Sequence, residues 1–454
     1  MQAERATSEK VYRQADVVVV GLGISGLIAM NLLEKQGIST IGVDGRDRIG
    51  GRVASIRTRG GRAFEAGGEF VKPGHKRVLA TLEALDIATV PVPEPFGLDV
   101  VIHGGTRWEE RSPFAEMPAS QAAYNDLHGR FRALFTDWGA GGASEAPDEH
   151  LSFGGWAAHH ATDAHAINRF CRDIVFGMGG RDAAGVSFAA ALDYHSSVPH
   201  ENCEVRSLRI AGGGSQIALR LSNQIAPGKF LLQSEVTSIS STHDAVRVRH
   251  RNGEIEASMA IVAMSPALAR SIRIDPPLPA QKIQTQDAWI QRSAIKSLII
   301  FDRPWWRDRN LSGHADGDLA LMQVLDVSPM GTQEGWLMAF ENVDTGLDER
   351  HTAGQYEAHA AANLRRYFGE FDNPISDFGA QVWALDPFAG GCGSPLPPGF
   401  PISARLGLAE PHGSILFAGT EIARSGWGSI EGAICAGERA AAEALSRLRV
   451  TEAG

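Results

Sequence analysis

The sequence predicts an α/β chain of two interleaved domains, one built on a parallel sheet and the other on a mixed sheet with helices. Three observations carry that prediction. The N-terminus reads as strand, glycine turn, helix and strand within about 30 residues. Further buried-strand segments recur far down the chain, separated by long stretches of different character. The length of 454 residues exceeds one ordinary domain and allows about three units, or two large ones.

Ala15-Asp-Val-Val-Val-Val20 is a β-branched run suited to a buried parallel strand. It meets Gly21-Leu-Gly-Ile-Ser-Gly26, then an apolar helical stretch from Leu27 to Lys35, then the strand Thr40 to Val43, ending at Asp44. Val236 to Ser240 and Ala245 to His250 read as strands around a turn, and Met259 to Met264 and Ser414 to Ala418 as buried strands. Gly428 to Leu445 is an Ala-rich closing helix. Between these lie 81–206, polar, His-rich and helical in pattern, and 290–381, with mixed strands and helices. The small-residue loop from Gly139 to Asp148 is expected to be mobile.

Composition excludes several classes. Lys plus Arg number 43 against 53 Asp plus Glu, a net charge of -10, which opposes nucleic-acid binding by counterion release. The 43% hydrophobic content is enough to build a core and argues against disorder. No run of about 18 apolar residues suggests a membrane span, and the polar start from Met1 to Gln14 has no signal-peptide core. Cys171, Cys203, Cys392 and Cys435 lack metal-ligand spacing, so no metal site is expected and a reducing, cytoplasmic setting is the simplest expectation.

In Gly21-x-Gly23-x-x-Gly26, the first glycine turns the chain, the second admits a pyrophosphate and the third lets helix approach strand. The helix N-terminus then faces the phosphates, and Asp44 would accept hydrogen bonds from ribose hydroxyls. The residues just after Asp44 point to FAD rather than NAD. Arg46, Arg48, Gly50, Gly51 and Arg52 add backbone amides and cationic donors for a larger cofactor.

That paired-glycine stretch resembles the flavin-containing amine oxidases, the family of monoamine and polyamine oxidases. Gly67-Gly68-Glu69-Phe70 is similar to the family's next flavin-lining segment, Arg209-Ile-Ala-Gly-Gly-Gly-Ser215-Gln216 to its GGS turn, and Glu235-Val236 to the pair whose valine backbone meets adenine. Phe301-Asp-Arg-Pro-Trp305-Trp306 resembles a strand-plus-aromatic segment, with Lys296 at the place of the flavin-facing lysine. Trp383-x4-Phe388-Ala-Gly-Gly-Cys392 resembles the stretch over the isoalloxazine. Phe417-Ala-Gly419-Thr-Glu421 and Gly428-Ser-Ile430-Glu-Gly-Ala433 match the closing flavin-binding signature. The resemblance implies a two-domain Rossmann-type FAD-binding fold with an interleaved substrate domain. The expected FAD-binding domain takes 14–80, 205–285 and 382–450, and the substrate-binding domain 81–204 and 286–381.

It further implies hydride transfer from the carbon beside an amine nitrogen to flavin N5, with oxygen as acceptor and hydrogen peroxide as product. Lys296 and Trp383 are the implied catalytic residues; a family lysine bonded to N5 through water supports reoxidation. Gly390-Gly391-Cys392 allows either a covalent FAD bond at Cys392 or a small cysteine packed near the flavin. The expected substrate pocket includes Glu69, Phe388, Gly393, Trp427 and Ser429. Two of these depart from the family: Gly393 and Ser429 stand where monoamine oxidases carry aromatic cage residues, with Trp427 or Phe388 as candidate substitutes. Asp44 replaces the more usual glutamate.

Trp156, His159 and His160 read as packing or surface residues, Trp305 and Trp306 as core, and Arg303 to Arg309 as a solvated loop. Tyr194, His195 and His200 are pocket candidates. The competing reading is an L-amino-acid oxidase, which needs an arginine for the carboxylate; Arg169, Arg172 and Arg181 are available. A dehydrogenase with another acceptor and a non-catalytic flavin scaffold also compete. Homodimers are common in the family.

Overall fold

The structure is a computed structural model that describes residues 11–92, 96–111, 114, 116–139, 148–197, 208–242, 245–292, 294–342 and 352–452. Most of the loop expected between Gly139 and Asp148, and His200, lie outside the described residues. The chain divides into two compact units: Met1–Gly51 with Ile217–Asp287 and Ser403–Gly454, and Arg52–Gln216 with Ala288–Ile402.

The first unit is built on an eight-stranded sheet. Its order is Phe230–Leu231, Thr40–Val43, Val11–Val20, Gly253–Ala263, Val246–His250, Val236–Ser241 and Arg273–Asp275, with Ile415–Ala418 also paired to Gly253–Ala263. The central strand Val11–Val20 runs parallel to both of its neighbours. Val17, Val18 and Val19 are fully buried and Thr40 to Val43 are all buried, as a parallel sheet covered on both faces requires. This strand begins four residues before the expected Ala15, because Val11 to Gln14 pair with Gly253 to Glu256 across the sheet. The helices Ile24–Glu34 and Ile430–Glu452 follow the glycine turn and close the unit.

A seven-stranded sheet organises the second unit, in the order Ile375–Val382, Ala294–Phe301, Gly335–Asn342, Leu321–Asp326, Leu311–Gly317, Leu98–His103 and Thr106–Glu110. The last two correct the helical expectation for 81–206. They form a hairpin turning at Gly104 and Gly105 and join the sheet through a parallel pairing with Leu311–Gly317, a partner about two hundred residues away. Helices Pro118–Gly139, Phe153–His160, Ala164–Phe176 and Phe188–Ser197 make up much of the remaining 118–197 segment.

Residues 52–80, 205–216 and 382–402, grouped by the sequence with the FAD segments, fall in this second unit. Asp377, in a strand of the seven-stranded sheet, is one reason: its carboxylate accepts from Thr58 Oγ1 at 2.5 Å and from Gly60 N at 2.7 Å. Phe70–Val71 pairs with Leu208–Ile210, and Glu65 accepts from Ser215 N at 3.0 Å, so 205–216 moves with 52–80.

Trp305 and Trp306 sit with Phe301, Tyr367 and Phe371 in one buried cluster. The segment after them is a short 3-10 turn rather than a free loop. Arg307 anchors it by donating to Asp326 at 2.8 Å, while Arg303 pairs with Asp308 at the surface. Trp156 is buried, and His159 and His160 are exposed.

This packing makes two predictions about stability. Trp306 has no exposed surface and donates its indole N–H to Asp326, so Trp306→Ala should cost about 3–5 kcal/mol and lower the midpoint of thermal unfolding. His75 is 7% exposed, and burial, with help from nearby Lys72, pushes its imidazole down to about 4. The unfolded chain takes up a proton below its ordinary value of 6.5 while the folded chain does not, so stability is lost as pH falls through that window. His75→Gln should flatten this part of the pH dependence, by about 3 kcal/mol in denaturant titrations at neutral against acid pH.

Candidate active site

In the first unit, Val20 leads into Gly21, which has φ +98°, and the helix starts at Ile24 with Gly23 as its N-cap. A Cβ on Gly26 would fall 2.0 Å from Gly21 O, so helix and turn touch through bare backbone. The second glycine pair closes on the first: Gly50 N donates to Leu22 O at 2.8 Å, and a Cβ on Gly51 would lie 3.0 Å from Gly23 Cα. Arg48 donates to Gly51 O at 2.8 Å and fixes this contact. No side chain caps the helix start among the described residues, so its positive end is left for an anion.

Asp44, 5% exposed, accepts from Leu22 N and Arg46 N, each at 2.9 Å, with the Arg46 guanidinium 3.5 Å away. The carboxylate is thereby fixed beside the glycine turn with lone pairs to spare for ribose hydroxyls. Val236 opens the strand that pairs with Val246–His250. Gly419 N donates to Ser25 Oγ at 3.1 Å, Glu421 lies buried just beyond it, and Ile430 begins the closing helix. Arg405 escapes a reading of the sequence because no motif marks it. It is 1% exposed, donates to Glu421 O and Ala423 O, and lies over the Trp427 ring at 5.1 Å. That contact commits the 1% exposed Trp427 to packing within its unit. Ser429 turns its hydroxyl onto Gly426 O.

The second unit carries the titratable centre. The strand Ala294–Phe301 is paired on both sides, which buries Lys296 to 4% exposure. Lys296 Nζ donates to Glu69 Oε1 at 2.6 Å and to Gly67 O at 3.0 Å. Glu69, 1% exposed, accepts from Arg209 through its other oxygen at 2.8 Å. The Phe70 and Phe340 rings lie 5.9 and 5.6 Å from Nζ. Burial lowers the lysine's pKa, and the Glu69 charge works against that fall. Glu69, expected in the substrate pocket, therefore spends its carboxylate on Lys296 and Arg209. In sequence Arg209 carries no signal of its own beside the glycines after it.

Trp383 donates to Ala66 O at 3.1 Å, so Trp383 and Lys296 hold consecutive carbonyls, those of Ala66 and Gly67. Ala54, Ala389 and Cys392 pack with the Trp383 ring. Burial pushes the Cys392 thiol up, against the charges of Arg52 and Lys296. A Cβ on Gly67 would meet Arg52 O at 1.9 Å, and Gly68 O lies where a Cβ of Gly214 would go. Phe388 is half-buried.

Gly393 explains one missing aromatic. A Cβ there would lie 2.6 Å from Gly179 Cα and 2.8 Å from Met178 O, so backbone fills the space at its root. Tyr194 supports that turn by donating to Gly177 O, whereas His195 contacts Ile174 O and the Phe131 and Phe135 rings.

Strand register links Lys296 to a more distant part of the unit. Lys296 lies opposite Phe340, Phe340 opposite Gln323, Gln323 opposite Asp316, Asp316 opposite Val101, and Val101 opposite Trp108. Directly paired residues share a face, so these six form one row across the sheet.

A glycine-turned helix start with a ribose acid, in a chain that also buries a lysine beside a tryptophan and a cysteine, defines a flavin-dependent oxidoreductase. Residues 24–445 match the family model of flavin containing amine oxidoreductases, and the chain belongs to that family. It is an enzyme of the flavin-dependent amine oxidase type with FAD as cofactor. The uncapped helix, the glycine cradle and Asp44 fit that cofactor. A Mycobacterium tuberculosis chain assigned as a flavin-containing monoamine oxidase is 31% identical over 453 residues, covering 95% of this chain and 97% of that one. An L-amino acid dehydrogenase of Synechocystis is 29% identical, covering 95% of each chain. A solved putrescine oxidase bound to putrescine matches with a TM-score of 0.83 and 25% identity, over 96% of this chain and all of that one. No described helix is long and apolar enough to cross a membrane.

Two outcomes test the site. Glu69→Gln removes the charge that opposes the fall in the Lys296 pKa, so the Lys296 ammonium should titrate at lower pH in the variant, as read by NMR of labelled lysine. Gly393→Phe, meant to restore an aromatic wall, should instead meet the Gly179 backbone and lower the unfolding midpoint, at a cost of about 1–3 kcal/mol or more.

Proposed function

We propose that the chain oxidises the C–N bond of a small amine to an imine, which water hydrolyses to an aldehyde or ketone. Oxygen takes the two electrons and two protons and leaves as hydrogen peroxide. The observation that carries this reading is the buried Lys296, held between Glu69 and Gly67 O, with Trp383 bonded to the adjoining carbonyl. When bound, FAD supplies the hydride acceptor. Within the first unit, Gly21, Gly23, Gly26, Asp44, Arg46, Gly50 and Gly51 would hold its dinucleotide part, with Val236, Gly419, Glu421 and Ile430. Within the second unit, the family resemblance assigns Arg52, Gly67, Gly68, Trp383 and Cys392 to flavin binding.

The chain's own groups do the rest. Lys296 keeps a proton on Nζ that burial makes easier to give up, so it suits proton delivery during reoxidation. The Phe70 and Phe340 rings keep its surroundings apolar, which favours a neutral amine substrate. With Gly393 closed by backbone and Ser429 bonded into its own turn, neither position supplies a cage aromatic, so simple arylalkylamines are not the preferred substrates. The raised pKa of Cys392 keeps it a thiol, which supports FAD held without a covalent bond.

The Synechocystis relative favours a second reading, an amino-acid substrate. Its arginine candidates are poorly placed for an α-carboxylate, which is bonded directly to the reacting carbon. Arg172 pairs with Asp316, three strands from Lys296 and thus roughly 14 Å along the sheet. Arg169 belongs to the same helix, and Arg181 is exposed.

The test is anaerobic bleaching of the visible flavin band by primary, secondary and cyclic amines and by L-amino acids. Bleaching by an amine and by no amino acid is expected. Bleaching only by amino acids would transfer the reading to the second, and none at all would overturn both. After acid precipitation the yellow colour should appear in the supernatant; colour kept in the pellet, and lost from it in Cys392→Ala, would establish the Cys392 bond.

A further inference from the structure

The row that starts at Lys296 runs beneath the helix Ala164–Phe176, and one stripe of that helix meets it. His165, Arg169, Arg172 and Phe176 follow the i, i+4, i+7, i+11 spacing of a single helical face. Phe176 stands edge-on to Phe340 at 6.2 Å between ring centroids. Arg172 Nε lies 2.6 Å from Asp316, Arg169 lies 3.7 Å from Glu110, and the His165 ring is 5.8 Å from that of Trp108.

Between this helix and the outer hairpin lies a cavity of about 190 Å³, whose lining includes Val101, His103, Trp108, Glu110, Arg169 and Arg172. Val101 and Trp108 give it an apolar wall, and charged side chains reach it both from the hairpin (Arg107, Glu109, Glu110) and from the helix (Arg169, Arg172). Arg172 is 9% exposed, and its Nη2 has no hydrogen-bond acceptor among the described residues. A buried guanidinium N–H left without an acceptor is costly, so an acceptor atom brought to it by a ligand would be favoured. Three nearby carboxylates are engaged: Glu110 accepts from Phe114 N and faces Arg169, Glu109 pairs with Arg107, and Asp316 faces Arg172, while Glu116, also in the lining, is exposed. Val101 and Trp108 of its lining are the outer two members of the row that leads back through Asp316 to Lys296. Gln323 and Phe340, the two residues between, are half-buried.

We propose that this cavity seats the far end of the amine substrate and that Arg172 recognises an oxygen acceptor there, a carboxylate or an amide carbonyl. The proposal rests on the amine-oxidising reading of Lys296. The substrate is then an elongated amine: a reacting C–N bond at the Lys296 end, a slender apolar spacer over Phe340 and Gln323, and an acceptor at the Arg172 end. Three strand steps set the span at roughly 14 Å, an extended chain of about ten bonds. Arg172 acts on specificity, since it lies too far from the reacting carbon to take part in chemistry.

The experiment compares three primary amines of equal length, ending in methyl, carboxylate or carboxamide, across a series of spacer lengths. With wild-type enzyme, KM for at least one acceptor-ended amine should be about tenfold below that of the methyl-ended one, the size of one hydrogen bond to a charged group, with kcat little changed. The advantage should appear only near the matched length and be lost in Arg172→Lys, which keeps a cation for Asp316 but removes the guanidinium fork. The carboxylate and carboxamide arms identify which acceptor is used. Equal KM values for all three ends at every length would overturn the proposal while leaving amine oxidation intact. An acceptor preference that persists in Arg172→Lys would overturn the role of Arg172. If Arg172→Lys fails to fold, the wild-type length series decides alone. Failure of every amine to reduce the flavin would instead remove the reading on which the proposal rests.

Discussion

The second unit depends on the buried contact between Lys296 and Glu69. Two charged groups, 4% and 1% exposed, are held 2.6 Å apart in an otherwise apolar setting. Neither tolerates being alone there, since removing one partner of a buried pair costs about 3–5 kcal/mol. Glu69 belongs to the glycine segment near the start of the unit and Lys296 to a central strand of its sheet, so the pair fixes one against the other. Arg209 takes the remaining carboxylate oxygen and brings in a third segment. The same contact that organises the packing sets the proton affinity of the lysine, so structure and chemistry share one constraint.

From that centre the sheet extends its influence laterally. Register places Phe340, Gln323 and Asp316 in line with Lys296, and the helix Ala164–Phe176 covers the line with residues matched to it. The part of the row beside Lys296 is apolar and suits a neutral amine. The distant part is charged and suits recognition. This separation explains how a chain lacking cage aromatics at Gly393 and Ser429 would still select substrates: by the end remote from the reacting bond.

How much of this is legible in sequence depends on whether the signal is local. The strand–glycine turn–helix–strand segment is legible throughout, because Val17 to Asp44 contains its own hydrophobic pattern, turn and acid. Lys296 stands out as a charge in an apolar strand, but only the resemblance to amine oxidases gives it a role. Its partner Glu69 lies 227 residues away, and nothing in either segment names the other. The hairpin Leu98–Glu110 escapes notice for the same reason, since its strand character depends on Leu311–Gly317. Gly393 is recognisable as a departure, yet its cause, the backbone of Gly179, is visible only in three dimensions. Arg172 is one arginine among many in sequence, and only the strand register gives it a place in the row.

The most direct test of the account is rapid mixing of Lys296→Met in two half-reactions. Anaerobic reduction by an amine should persist, since the lysine is assigned no part in breaking the C–H bond. Reoxidation by oxygen should slow by about a hundredfold, the contribution of a positioned proton donor. Reoxidation at the wild-type rate would contradict the role given to Lys296, and with it the central reading of the site.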